Sequence, residues 1–171
     1  MDTTVTTVFE SPWGYIGLAA TAAGVTRVVL PCPEAREAGA RLPAAIDGLG
    51  VEEASRIVEA AERQILEYFA GRQRTFDFPV ALPPATPFTR AVWRACATIP
   101  FGEVRTYRAL AASIDRGGAM RAVGGALGAN PLPIIIPCHR VIRTDGTLGG
   151  FGGGLPLKRR LLALEGWTVW G

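Results

Sequence analysis

The residues best suited to chemistry lie together in Ile134-Ile135-Ile136-Pro137-Cys138-His139-Arg140-Val141, where an apolar run delivers a cysteine, the chain's only histidine and an arginine side by side. A cysteine acts as a nucleophile through its thiolate, which forms when cationic surroundings lower its pKa or a neighbouring base takes the proton. The arginine beside it, Arg140, offers such a cationic surround. An inert buried thiol is the commoner fate of a free cysteine, so the local pattern leaves both readings open. The three isoleucines predict a short buried strand. Adjacent side chains of an extended segment point opposite ways, so Cys138 and His139 need not touch although they are neighbours in sequence.

The elements that must position these residues fall into two parts meeting near Pro83-Pro84, a domain of residues 1–84 and one of 85–171. In the first, Thr3 to Phe9, Tyr15 to Ala20 and Val25 to Leu30 predict short strands of an antiparallel sheet, separated by Pro12, Gly14 and Gly24. After a loop rich in Pro, Ala and Gly, apolar residues from Ala54 through Ile57, Ala61 and Ile65 to Phe69 recur at helical spacing, with Gly71 as the stop. Phe76 to Val80 predicts an edge strand. In the second part, Thr86 before Pro87 opens a helix that Pro100 ends. Thr106 caps another from Tyr107 to about Ile114, and the turn Asp115-Arg116-Gly117-Gly118 leads to a third from Ala119 to Ala129. Two short helices across a Gly-containing turn predict a helix-turn-helix. A Gly-rich loop, Gly146 to Gly154, and a last helix, Leu157 to Glu165, follow. The fold class expected is α/β: a small N-terminal domain of antiparallel sheet and helix, then a mostly helical C-terminal domain.

Charge divides the same way. Residues 1–85 carry 7 Arg against 11 acids, a net −4, while residues 86–171 carry 10 Arg and one Lys against 4 acids, a net +7. The basic part suits a polyanion such as nucleic acid or is a solvated basic face, and charge alone leaves both open. Three widely spaced cysteines, Cys32, Cys96 and Cys138, fit reduced thiols better than a disulfide framework. No apolar run approaches the roughly 20 residues of a membrane span and the N-terminus lacks a signal-peptide pattern. The expectation is a cytoplasmic monomer with no membrane association and no obligate protein partner.

The runs Phe101-Gly102-Glu103-Val104-Arg105-Thr106-Tyr107, Met120-Arg121-Ala122-Val123-Gly124-Gly125-Ala126, Asn130-Pro131-Leu132-Pro133, Pro137-Cys138-His139-Arg140, Gly153-Gly154-Leu155 and Leu162-Ala163-Leu164-Glu165-Gly166 resemble the methylated-DNA–protein-cysteine methyltransferases over residues 87–166. That resemblance implies repair of duplex DNA carrying O6-alkylguanine, with O4-alkylthymine as a second substrate. The base flips out and its alkyl group passes irreversibly to Cys138. It makes His139 the base acting through water, Glu165 its orienting carboxylate, Asn130 a buried link from the helix end to the active-site segment, and Tyr107 the donor to the leaving guanine. Arg121 becomes the finger that enters the base stack. Thr106, at the start of a helix with amides facing an anion, Ala122, Gly124 and Gly125 on the reading helix, and Arg140 join the DNA-binding set. Val141, Leu148, Phe151, Gly152 and Gly153 are expected to line the guanine pocket.

Two features depart from the family pattern: Gly117-Gly118 stands where relatives often carry Pro, and Phe151-Gly152 where some carry Tyr and Ser. Some relatives bind zinc in the N-terminal domain, but Cys32 has no evident fellow ligands for a four-coordinate site, and neither metal nor cofactor is expected. Three rival readings are a lesion binder without chemistry, which Cys138 argues against, a transcription regulator, disfavoured by a reading helix poor in Asn and Gln, and a cysteine hydrolase.

Overall fold

Two-residue turns set the register of the first three strands. Ser11 pairs with Gly14 across one turn and Thr21 with Gly24 across the next, giving an antiparallel sheet in the order β1 (Val5–Ser11), β2 (Gly14–Thr21), β3 (Gly24–Cys32). Gly24 is required as glycine: its φ is 141°, and a Cβ there would lie 2.7 Å from the Pro79 backbone. The central strand is buried on both faces of its pleat. Ile16, Leu18 and Ala20 alternate with Gly17 and Ala19, and all five are buried. Two helices cover the sheet, α1 (Ala35–Ala40) and α2 (Val51–Phe69). The buried stripe of α2 contains Ala54, Ile57, Val58, Ala61, Ile65, Tyr68 and Phe69, the residues whose spacing marked it. The short α1, which lies where a loop was expected, has no side-chain cap and buries only Ala38.

The computed structural model describes residues 3–168, and its contacts divide the chain into two compact units, Met1–Pro83 and Pro84–Gly171. The edge strand expected over Phe76 to Val80 reduces to a single parallel bridge between Val25 and Val80. The Gln64 side chain takes the backbone groups a strand would need, accepting from Asp77 N at 2.7 Å and donating to Asp77 O at 3.0 Å. Pro79 has no N–H to offer a ladder.

In the second unit both threonine caps form as read. Thr86 Oγ1 accepts from Thr89 N at the start of α3 (Pro87–Ala97), and Thr106 Oγ1 from Ala109 N at the start of α4 (Tyr107–Ala112). α5 (Met120–Gly128) packs against α3 and α4, and Trp93 of α3 donates its indole N–H to Ala126 O at 2.8 Å, fixing that packing. The helices stop within about two residues of where the sequence placed their ends. A parallel pair, β4 (Arg105–Thr106) with β5 (Val141–Ile142), ties the start of α4 to the chain leaving Cys138. α6 (Leu155–Leu164) closes the unit. Among the described residues no helix is long and apolar enough to cross a membrane.

Candidate active site

The expected isoleucine strand is instead a tight turn. Ile134 has φ 77°, and Pro133 bridges Ile136 in place of any extended run. A β-branched residue in the left-handed region is strained by about 1–3 kcal/mol, so the surroundings must hold it. Ile136 N donates to Leu132 O at 2.8 Å. The Asn130 side chain accepts from Leu132 N at 2.9 Å and donates to Ile136 O at 2.8 Å, stapling both sides of the turn. Its Nδ2 also donates to Cys138 Sγ at 3.3 Å. Asn130 therefore shapes the turn and touches the sulfur it delivers.

Cys138, His139 and Arg140 form one 3-10 turn, not an extended strand. Cys138 lies in the wall of a cavity of about 580 Å3, while His139 and Arg140 are buried behind it. His139 Nε2 and Glu165 Oε1 are 2.8 Å apart. Arg140 grips the same carboxylate bidentately, Nε to Oε2 at 2.8 Å and Nη2 to Oε1 at 2.9 Å, and its Nη1 donates to Ile99 O at 2.6 Å. Glu165 Oε2 accepts from Gly102 N at 3.3 Å as well. Arg140 is 6% exposed. Its expected place on the DNA face is corrected: the guanidinium is committed inward to Glu165 and Ile99.

The electrostatics also differ from expectation. Burial pushes the Cys138 thiol up from its ordinary value, against the opposing pull of the Asn130 hydrogen bond and the nearby Lys158 cation. The cationic neighbour the sequence assigned to Arg140 is thus Lys158, and it does not win. His139 is pushed down, because burial outweighs the attraction of Glu165. A neutral imidazole donating Nε2–H to a carboxylate carries its basic lone pair on Nδ1. Burial raises Tyr107, which keeps its proton.

The cavity brings together Cys138, Tyr107, Arg121, Gly124, Phe151 and Gly152, all expected site residues. Its wall also includes Gly149 and Gly150, from the loop between Leu148 and Gly153 expected to line the pocket, Gly128 of the small-residue helix, and Met120, Leu127, Arg143 and Thr144, which sequence reasoning did not assign to the site. Val141, Leu148 and Gly153, expected as pocket lining, are not part of the wall; Val141 and Leu148 are buried behind it. Phe151 stands edge-on to His139, ring centroids 6.5 Å apart. Thr106 uses its hydroxyl as the α4 cap. On α5, Arg121, Ala122, Gly125 and Gly128 are exposed, and a Cβ added at Gly125 or Gly128 would meet nothing within 4 Å. The small residues of this helix therefore leave the outer face around Arg121 with few other side chains, in addition to any packing role.

Lys158 is the functional candidate that sequence reasoning missed. It is wholly buried on α6, and its Nζ donates to Val141 O at 2.6 Å, Leu148 O at 2.5 Å and Gly150 O at 3.2 Å. The available signal was that it is the chain's only lysine among 17 arginines, on a helix between Leu157 and Leu161.

A helix-turn-helix whose second helix presents an outer face of small residues around Arg121, beside a cavity with a cysteine in its wall, is the arrangement of a DNA-binding protein with a thiol at its site. Residues 87–167 match the family model described as 6-O-methylguanine DNA methyltransferase, DNA binding domain. Proteins named methylated-DNA–protein-cysteine methyltransferase are similar in sequence. The one from Methanosarcina barkeri is 48% identical over 113 residues, 66% of this chain and 71% of that protein, and the one from Mycolicibacterium paratuberculosis 49% over 116 residues, 68% and 70%. The crystal structure of Mycobacterium tuberculosis OGT in complex with DNA superposes with a TM-score of 0.78 at 38% identity, covering 94% of this chain and 91% of that one. The chain belongs to the methylated-DNA–protein-cysteine methyltransferase family.

Proposed function

We propose that this chain repairs duplex DNA by moving an alkyl group from O6 of guanine, with O4 of thymine as a second substrate, irreversibly onto its own Cys138. DNA repair by alkyl transfer to a cysteine is the activity of its family, and DNA is its partner. The observation that carries the assignment is the Cys138 thiol in a cavity wall shared with Arg121, beside the small-residue face of α5. α5 docks in the minor groove, where the missing side chains let the helix backbone approach the DNA. The alkylated base leaves the stack at a cost of a few kcal/mol, which Arg121 entering the gap and the pocket contacts offset.

Behind the cavity wall, Glu165 holds His139 with Nδ1 as the basic nitrogen, and a water carries the Cys138 proton to it. Asn130 Nδ2–H, 3.3 Å from Sγ, favours the thiolate as it forms. The sulfur attacks the alkyl carbon in line with O6. The S–C bond forms as the C–O6 bond breaks, and the electron pair stays on the guanine. Tyr107, held as a phenol, donates to that guanine, which in net terms gains the proton Cys138 lost. The thioether has no good leaving group, so each molecule reacts once. The free state of all three cysteines supports placing the protein in the reducing cytoplasm.

Cys138→Ser tests the assignment. The variant is expected to bind alkylated duplex with affinity within about threefold of wild type, because phosphate contacts supply most of the binding energy, and to show no added alkyl mass. Transfer by the folded variant would move the acceptor elsewhere.

A further inference from the structure

An ammonium group wholly enclosed by protein is rare unless it is paired, and Lys158 is enclosed with three acceptors and three N–H groups to meet them. Those acceptors belong to two separate pieces of the site. Val141 directly follows the Cys138–Arg140 turn, whereas Leu148 and Gly150 flank Gly149 in the glycine loop that forms one wall of the cavity. The loop in turn backs onto Tyr107, whose hydroxyl donates to Gly150 O at 3.4 Å. A Cβ at Gly149 would lie 2.8 Å from the Tyr107 ring, and Lys158 Nζ is 5.9 Å from that ring's centre. Glycine-rich backbone has many conformations open to it, and this ammonium is the side-chain group bonded to the loop at both Leu148 and Gly150.

We infer that Lys158 is a positioning residue for alkyl transfer: its ammonium pins the glycine loop to the backbone leaving the nucleophile turn, and so holds the pocket wall and Tyr107 in the arrangement that grips the base. This rests on Cys138 being the acceptor. Lysine fits the task because three carbonyls converge on one point, which suits a compact head with three donors. The planar fork of arginine spreads its donors outward. The cation has a second effect, drawing the Cys138 thiol toward thiolate against the effect of burial.

Burial lowers Lys158 to about 8, with Arg143 acting in the same direction and the Cys138 and Cys96 thiols opposing. Tyr107, facing it from α4, is raised and remains a phenol. Above that pH the clamp becomes a neutral amine with two N–H groups for three carbonyls. Transfer from DNA is then expected to fall while the intrinsic reactivity of the Cys138 thiol still rises.

The test compares wild type with Lys158→Met and Lys158→Arg in two assays. One is single-turnover transfer from duplex containing O6-methylguanine, giving a maximal rate and a half-saturating DNA concentration. The other is iodoacetamide alkylation of Cys138 against pH, read as the mass of its peptide. For Lys158→Met the maximal transfer rate is expected to drop about 100-fold while half-saturation moves by less than about threefold, and the iodoacetamide profile shifts to higher pH. Lys158→Arg keeps that profile near wild type but does not restore transfer, which separates the clamp from the charge. In wild type, the ratio of transfer to iodoacetamide reactivity falls at least about tenfold from about pH 7.5 to about pH 9.5, a readout that stands even where a variant fails to fold. Transfer by Lys158→Met within about threefold of wild type, full rescue by arginine, or a ratio constant with pH overturns the proposal. Wild type that transfers while the variants match it refutes the Lys158 role alone. Wild type that leaves Cys138 unmodified refutes the acceptor assignment and this proposal with it.

Discussion

Replacing Arg140 by methionine separates the buried role the structure gives it from the DNA-binding role its position in the sequence suggested. The substitution removes two charge-assisted bonds to Glu165, at 2.8 and 2.9 Å, and a third to Ile99 O at 2.6 Å. It also removes a cation 5.9 Å from the Phe101 ring centre. The Glu165 carboxylate, with no exposed side-chain surface, stays behind without its counter-ion. Removing one partner of a buried pair costs about 3–5 kcal/mol, because the surviving charge has neither water nor cation. In a domain of this size that lowers Tm by at least about 12 °C. DNA affinity, measured at about 10 °C where the variant remains folded, is expected to change little, and the salt dependence of binding should keep its slope. Loss of a phosphate contact would instead reduce that slope by about 0.9. Urea unfolding and a salt titration of binding are the two assays. A variant of wild-type stability with a shallower salt slope would refute the buried-clamp reasoning and return Arg140 to the DNA face.

Two further outcomes follow from the same geometry. Arg121→Ala is expected to slow repair in duplex at least about tenfold more than transfer from the free modified base, which has no stack to leave; equal slowing would give Arg121 another task. His139, lowered from its ordinary 6.5 by burial, stays neutral in the fold while the unfolded chain takes up a proton. Its contribution to stability is present above about pH 6.5 and is lost as pH falls toward the lower folded pKa, by up to about 1.4 kcal/mol per unit. His139→Gln should lose less stability than wild type between about pH 6.5 and about pH 5 in urea titrations, and superimposable curves would contradict the assignment.

Local signals in the sequence were legible where the structure satisfies them locally. The threonine caps of α3 and α4, the hairpin glycines and the apolar stripe of α2 each concern residues within a turn or two of one another, and each forms as read. The motif segments were legible through resemblance, which drew attention to Cys138, His139, Glu165 and Asn130 together. What failed depended on partners distant in sequence. The three isoleucines read as a strand, but the Asn130 side chain and the flanking prolines fold them into a turn, with Ile134 left-handed. Arg140 reads as basic surface until Glu165, 25 residues on, is placed against it. Lys158 reads as one more surface cation on a terminal helix, and only the three carbonyls from two other segments show why it is inside. Resemblance placed Val141 and Leu148 in the pocket lining, whereas both lie behind the wall and offer their backbone oxygens to Lys158, which no residue type announces.

Stoichiometry tests the central claim most directly. Duplex containing O6-methylguanine with a labelled methyl group, mixed in excess with a known amount of protein, is expected to give a single fast phase ending at one label per molecule. Digestion should recover that label on the peptide bearing Cys138, because a thioether carries no leaving group that would regenerate the thiol. Several labels transferred per molecule, or a label found anywhere but Cys138, would contradict the account.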